Sequence, residues 1–153
     1  MTEESCLCVI RDEDRILLLK KATGIGEGKW YPTGGKVRPG ETPEAGVARE
    51  VQEETGLHVT NLRHHGEVTC YFGHGTPPVW VVQIFSTSDF EGSLKESGEG
   101  ALRWFPISEI PYDEMWEDDR HWLPLLLEGK RFKGEFVYDR DGTELLDTAI
   151  DIE

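Results

Sequence analysis

A chain of 153 residues with 37% hydrophobic side chains is long enough for one domain with a real core. Thirty acidic against sixteen basic residues leave a formal charge of −14, which excludes binding to nucleic-acid polymers, since that requires Lys and Arg on phosphates. No apolar run approaches the ~20 residues that cross a bilayer, and the acidic, polar start Met1–Ser5 does not read as a targeting peptide, so the expected location is cytoplasmic.

In chain order, the apolar runs Ser5–Ile10 and Arg15–Leu19 flank a polar Arg-Asp-Glu-Asp turn and predict a hairpin. Cys6 and Cys8 are two apart on that first strand and so share a face; with Cys70 they make an odd count that reads as buried reduced thiols. Gly24, Gly26 and Gly28 form a flexible loop, and no βαβ unit follows that would make them a dinucleotide fingerprint. Thr42 is a helix cap, Pro43 suits the first helical position and Gly56 the stop, which predicts a helix over 43–55. Strand-like runs follow at 57–63, 66–73, 79–87 and 101–105, and the bulky β-formers Val79–Phe85 read as a central strand. A second helix is expected over Asp118–Gly129, with Pro124 in its first turns. Arg131–Tyr138 and Thr143–Ile150 around Asp139–Gly142 read as a closing hairpin. Many strands and two helices in mixed order place the chain in the α+β class or a three-layer sandwich.

The helix over 43–55 carries chemistry. Glu50, Glu53 and Glu54 lie at i, i+3 and i+4 and share one face. Three carboxylates so close repel one another unless divalent cations sit among them, and Mg²⁺ takes a few carboxylates, waters and substrate phosphates. Val47, Ala48, Val51 and Thr55 form a separate core-facing stripe. Gly46 falls on the carboxylate face, where its missing side chain leaves room for ligand or metal, and Arg49 on the flank can hold a carboxylate in place. Glu50, Glu53 and Glu54 alone also fit a solvated acidic helix. That reading does not account for Gly35, five residues, Glu41, seven residues, then Arg49-Glu50-Val51-Gln52-Glu53-Glu54-Thr55-Gly56-Leu57. A chance match of that pattern is on the order of one in a million.

This pattern fills every fixed position of the Nudix box, and the chain resembles the Nudix superfamily, MutT type. Gly24–Trp30, Trp104–Ile107, Met115–Leu127 and Lys130–Phe136 extend the similarity to the oxidised-purine nucleoside triphosphatases (8-oxo-dGTP diphosphatases) over most of the chain. The resemblance implies a single Nudix domain over 1–153, a mixed sheet in an α/β/α sandwich carrying a catalytic loop–helix–loop. It implies Mg²⁺-dependent (or Mn²⁺-dependent) hydrolysis of oxidised purine nucleoside triphosphates to monophosphate and pyrophosphate by a monomer acting on a small nucleotide. The metal would be held by Glu50, Glu53, Glu54 and the carbonyl of Gly35. The catalytic set would be Glu53, Glu54, Arg49 and Glu99, with the base either a box glutamate or Glu99; Glu99 also reads as an exposed loop residue. The base pocket would be lined by Trp116, Asp118 and Asp119, since an aromatic face stacks on a purine and two adjacent carboxyls share a proton. The same two aspartates also suit a helix N-terminus. Phe72 keeps one aromatic position of the family pocket, while Cys70 stands at another. Trp80 faces either pocket or core, and Lys21 reaches phosphate or only solvent. Tyr31 stands where the family has an Asn that contacts the base, and one hydroxyl cannot copy a two-headed amide. Two other readings remain open here: a Nudix hydrolase of ADP-ribose or a dinucleoside polyphosphate, and a non-catalytic nucleotide-binding module. The acidic surface reads as solubility or as adaptation to a salty cytoplasm.

Overall fold

The structure, a computed structural model, describes residues 2–153. In chain order it runs β1 (Glu3–Asp12), β2 (Arg15–Lys21), β3 (Trp30–Tyr31), β4 (Thr33–Lys36), α1 (Pro43–Thr55), β5 (His58–Thr60), β6 (Arg63–Phe72), β7 (Trp80–Thr87), β8 (Asp89–Glu91), β9 (Gly100–Pro106), α2 (Asp119–Leu127), β10 (Phe132–Tyr138) and β11 (Leu145–Ile152). Among the described residues no helix is long and apolar enough to cross a membrane.

The main sheet is mixed, ordered β11-β10-β6-β7-β1-β2-β3, with β4 on β1 and β9 on β2. β7 runs parallel to β1 and β10 parallel to β6; the other pairs are antiparallel. The Val79–Phe85 run does form an interior strand, since β7 lies between β6 and β1. The period-2 alternation of β1 divides the core. Cys6, Cys8 and Ile10 pack with Leu17, Val47 and Val51 under α1, while Val9, Ile16 and Leu18 pack with Trp122, Leu123 and Leu126 under α2. One helix thus covers each face of the sheet, as the sandwich expectation requires. All three cysteines are free and buried.

The sheet divides where β1 changes partner. Ser5–Cys8 pair with Lys36–Thr33 of β4, whereas Arg11 and Asp12 pair with Ile16 and Arg15 of β2. Thr33-Gly34-Gly35 can lie this close only because a glycine stands at Gly34: a Cβ there would sit 2.0 Å from the Cys6 carbonyl oxygen.

Several boundaries differ from the sequence expectation. The 57–63 run is broken: β5 ends at Thr60, Asn61 turns the chain with φ 52°, and β6 begins at Arg63. β3, β4 and β8 have two to four residues, too few to show a period. α2 spans Asp119–Leu127, and Pro124 lies in its second turn, inside the helix. Its tolerance comes from burial, because Trp122, Leu123 and Leu126 anchor the helix on the core.

Gly34→Ala is expected to lower the melting temperature by roughly 10 °C or more. Gly98→Ala, whose Cβ would meet nothing within 4 Å, serves as the control and stays near wild type in the same thermal melt. Equal melting temperatures for the two variants would contradict the close packing of β4 on β1.

Candidate active site

Helix α1 is capped as the sequence implies. The Thr42 hydroxyl accepts from the Ala45 N–H at 3.1 Å, and Gly56 takes φ 80° while its N–H donates to the Gln52 carbonyl. Val47, Val51 and Thr55 are buried and Ala48 is half-buried. The stripe fixes the roll of the helix and so decides where each glutamate points. Glu54 goes inward, 4% exposed, and accepts from the Gly34 N–H at 2.9 Å and the Tyr31 hydroxyl at 3.5 Å. Glu50 lies half-buried along Gly35, where a Cβ would come within 2.6 Å of its carboxyl carbon. Glu53 is exposed and pairs with Arg49 at 3.1 Å and Arg38 at 3.6 Å. The three share a face but not an environment.

Burial pushes the Glu54 carboxyl up to about 8; the Gly34 N–H opposes this, and the charges of Glu50 and Glu99 add to it. Burial, with Glu54 next, raises the Tyr31 hydroxyl well above its ordinary value. Among the described residues Glu54 has no cationic partner.

Arg49 ties the rest together. Its Nε and Nη2 donate to Glu41 Oε2 and Oε1 at 2.8 and 3.0 Å, its Nη1 to Glu50 at 2.9 Å and Glu53 at 3.1 Å, and Nη2 also to the Lys36 carbonyl at 3.1 Å. This two-toothed contact holds the Glu41 carboxyl down at about 2. All five guanidinium donors face acceptors of the protein, so Arg49 positions carboxylates rather than meeting a substrate. Gly46 also needs correction: a Cβ there would lie 2.9 Å from Glu41 Oε1, so its bareness admits Glu41, not metal or ligand.

The donor set fits a hard divalent cation. Among the described residues no three His, Cys, Asp or Glu side chains close a cation site unaided. Mg²⁺ asks for less than that, because it keeps waters and takes substrate phosphates. A buried acid beside two other acids, with no positive partner, is what such an ion would compensate. The Gly35 carbonyl accepts from the Cys6 thiol at 3.3 Å, a weak donor. Glu99 is exposed, and its charge reaches both Glu54 and Tyr31.

Beside this centre, at the partner change of β1, opens a cavity of about 430 Å³. Leu7, Tyr31, Cys70, Trp80, Trp116, Asp118 and Asp119 line it, and Lys21 stands at its wall. Trp116 is stacked on Phe72 at 6.3 Å and meets Trp80 and Tyr138 edge-on at 5.5 Å each. Phe72 thus backs the wall and does not itself face the cavity, contrary to the sequence expectation. Trp80 does both jobs left open for it: it lines the cavity and packs on Phe72, with its indole N–H on Glu3 at 3.0 Å. Tyr31 lies between the two halves, lining the cavity while its hydroxyl turns to Glu54.

Asp118 and Asp119 are 6% and 4% exposed. Asp118 occupies the N-cap position of α2 but caps nothing with its side chain. Its Oδ1 accepts from the Tyr138 hydroxyl and its Oδ2 from the Trp122 indole at 3.0 Å. Asp119 Oδ2 is buried with no partner. Burial and the neighbouring Asp118 raise the Asp119 carboxyl well above the usual range, with the Trp122 indole and Lys29 offsetting part of the rise. Tyr138, Trp122 and Gly26, which packs against the Trp116 indole, carried no local signal in the sequence. Tyr138 is 20 residues from Asp118 and meets it only through the sheet.

The NUDIX domain profile matches residues 1–126. The oxidized purine nucleoside triphosphate hydrolase of Mus musculus is 40% identical over 139 residues, covering 91% of this chain and 88% of the mouse protein. Its Danio rerio counterpart is 42% identical over 132 residues, 86% of this chain and 84% of its own. The crystal structure of a MutT protein from Bacillus halodurans superposes with a TM-score of 0.87 at 32% identity, covering 97% of each chain.

Glu54 sets a pH linkage. Its folded value, about 8, lies above the ordinary 4.5, so the folded chain keeps a proton that the unfolded chain releases. That contribution is complete below about 4.5 and is lost as pH rises through about 8. In EDTA, thermal stability should therefore fall from pH 5 toward about 8. Millimolar Mg²⁺ or Mn²⁺ should reverse the fall by taking the proton's place. Scanning fluorimetry of wild type and Glu54→Gln decides this: an unchanged metal response in the variant rules Glu54 out as a ligand.

Proposed function

This chain belongs to the Nudix family, and on that premise we propose that it is a Mg²⁺-dependent hydrolase of oxidised purine nucleoside triphosphates. The products are the nucleoside monophosphate and pyrophosphate, and the role is removal of damaged nucleotides from the precursor pool. Its relatives in mouse and zebrafish bear the name of that activity. The observation that carries the reading is Asp119: a buried carboxyl whose Oδ2 has no protein partner, in the cavity that Trp116 lines and that also reaches Tyr31 and Gly34, both hydrogen-bonded to Glu54. An unsatisfied buried polar group is costly, and a ligand with a hydrogen-bonding edge satisfies it.

Trp116 offers its face to a purine, and Asp118 and Asp119 read the edge of the base. Gly34 and Gly35 let β1 and the Glu50 carboxyl approach closely between the base end and the carboxylates. Glu50 and Glu54, with Glu53 and the Gly35 carbonyl, would hold the cation. When bound, that ion offsets charge developing on the diphosphate oxygens. Arg49 keeps Glu50 and Glu53 from swinging away. A water attacks phosphorus, the phosphoanhydride bond between monophosphate and pyrophosphate breaks, and the water's proton goes to a carboxylate. Glu53 already gives its oxygens to Arg49 and Arg38, whereas Glu99 has no salt bridge among the described residues and its charge is felt at Glu54. Glu99 is therefore the favoured base, and Lys21 a phosphate contact at the cavity wall. Mn²⁺ can replace Mg²⁺ on the same oxygens.

The test is a panel of oxidised and unmodified nucleoside triphosphates with Mg²⁺, reading pyrophosphate against phosphate release. Glu54→Gln is expected to cut turnover by at least about 100-fold while keeping the fold. A fully active Glu54→Gln enzyme would refute the metal assignment. Asp119→Ala and Trp116→Ala should weaken oxidised purine nucleotides by ~10-fold or more relative to pyrimidine ones. Equal losses across all bases would make both residues structural.

A further inference from the structure

Resting on that purine reading, we propose that Tyr138 is a positioning residue for base specificity. Its hydroxyl keeps the shared proton of the aspartate pair on Asp119, so the pocket sets an acceptor beside a donor and prefers a guanine-type edge to an adenine-type edge.

The direction of each hydrogen bond follows from the donor inventory. The Asp118 backbone N–H donates to the Tyr138 oxygen at 2.9 Å. The hydroxyl hydrogen is therefore free to go to Asp118 Oδ1. An indole N–H only donates, so Trp122 fixes Asp118 Oδ2 as an acceptor as well. Both Asp118 oxygens accept, which suits the ionised carboxylate. A second negative charge next to it, equally buried, is disfavoured, and the proton belongs to Asp119. Asp119 lines the cavity, and its Oδ2 finds no partner in the protein.

The pocket then presents Asp118 as acceptor only and Asp119 as an O–H donor. A guanine-type edge carries a ring N–H and an amino group side by side, next to a carbonyl oxygen. The two N–H groups reach the spare lone pairs of Asp118, and the carbonyl accepts from Asp119, giving three contacts. An adenine-type edge offers one amino donor and one ring nitrogen, giving two. Tyr138 is buried at the end of β10, and its ring packs edge-on against Trp116 and Phe72. Removing only its hydroxyl leaves that packing in place.

The experiment compares 8-oxo-dGTP with 8-oxo-dATP, which differ only at this edge, in wild type and Tyr138→Phe. Wild type should prefer 8-oxo-dGTP. In Tyr138→Phe the ratio of kcat/KM values should fall roughly 10-fold, the value of one hydrogen bond to a charged group, with the loss in KM for 8-oxo-dGTP rather than in kcat. An unchanged ratio, or equal losses for both substrates through kcat, overturns the proposal and makes Tyr138 a packing residue. If a thermal melt shows Tyr138→Phe unfolded, Asp118→Asn takes its place. That neutral isostere should lose the same ratio, and its retention overturns the proposal equally. Wild-type enzyme that turns over neither nucleotide refutes the substrate reading itself, and this inference with it.

Discussion

The carboxylate flank of α1 is held together by Arg49. One guanidinium holds Glu41, Glu50 and Glu53 and the carbonyl of Lys36, so an acidic helix can lie against the loop that leads into it. Without a cation on that flank, the carboxylates of a chain with charge −14 would turn to water and spread apart. The tie has a geometric condition. Glu41 must fold back over the first turn of α1, and only the bare Gly46 admits it. Glu41, Gly46 and Arg49 thus act as one mechanical unit.

The tie leaves out Glu54, which gives that residue its character. It sits below the others, against the Gly34 N–H, in the part of the site where protein cations do not reach. Its raised pKa is the physical mark of a place prepared for a positive charge that the chain does not itself supply. The close seating of β4 on β1, which needs Gly34, brings that backbone N–H to the helix. Fold and site are joined at the same two glycines, Gly34 and Gly35.

The aromatic end of the cavity follows a different logic. Two aspartates adjacent in sequence are made unequal by their surroundings, one held by Tyr138 and Trp122, the other with a buried oxygen that finds no partner. An aromatic group of Phe72, Trp80, Trp116 and Tyr138 gives the pocket a rigid wall. Rigid walls and one unsatisfied carboxyl suit selection of a flat heterocycle by its edge.

The sequence by itself determined the acidic face of α1. Glu50, Glu53, Glu54 and Arg49 are neighbours along one helix, and helical periodicity turns their spacing into geometry without help from the rest of the chain. The caps at Thr42 and Gly56 and the core stripe of Val47 and Val51 were legible for the same reason. Short strands such as β3 and β4 were not, because two or four residues cannot show a period. The role of Gly46, the retreat of Phe72 behind the wall, the turn of Tyr31 toward Glu54 and the hold of Tyr138 on Asp118 were decided only by the tertiary structure. Each is a contact between segments far apart in the chain, and such contacts are set by how a sheet with β1 at its partner change brings those segments together, not by any local pattern.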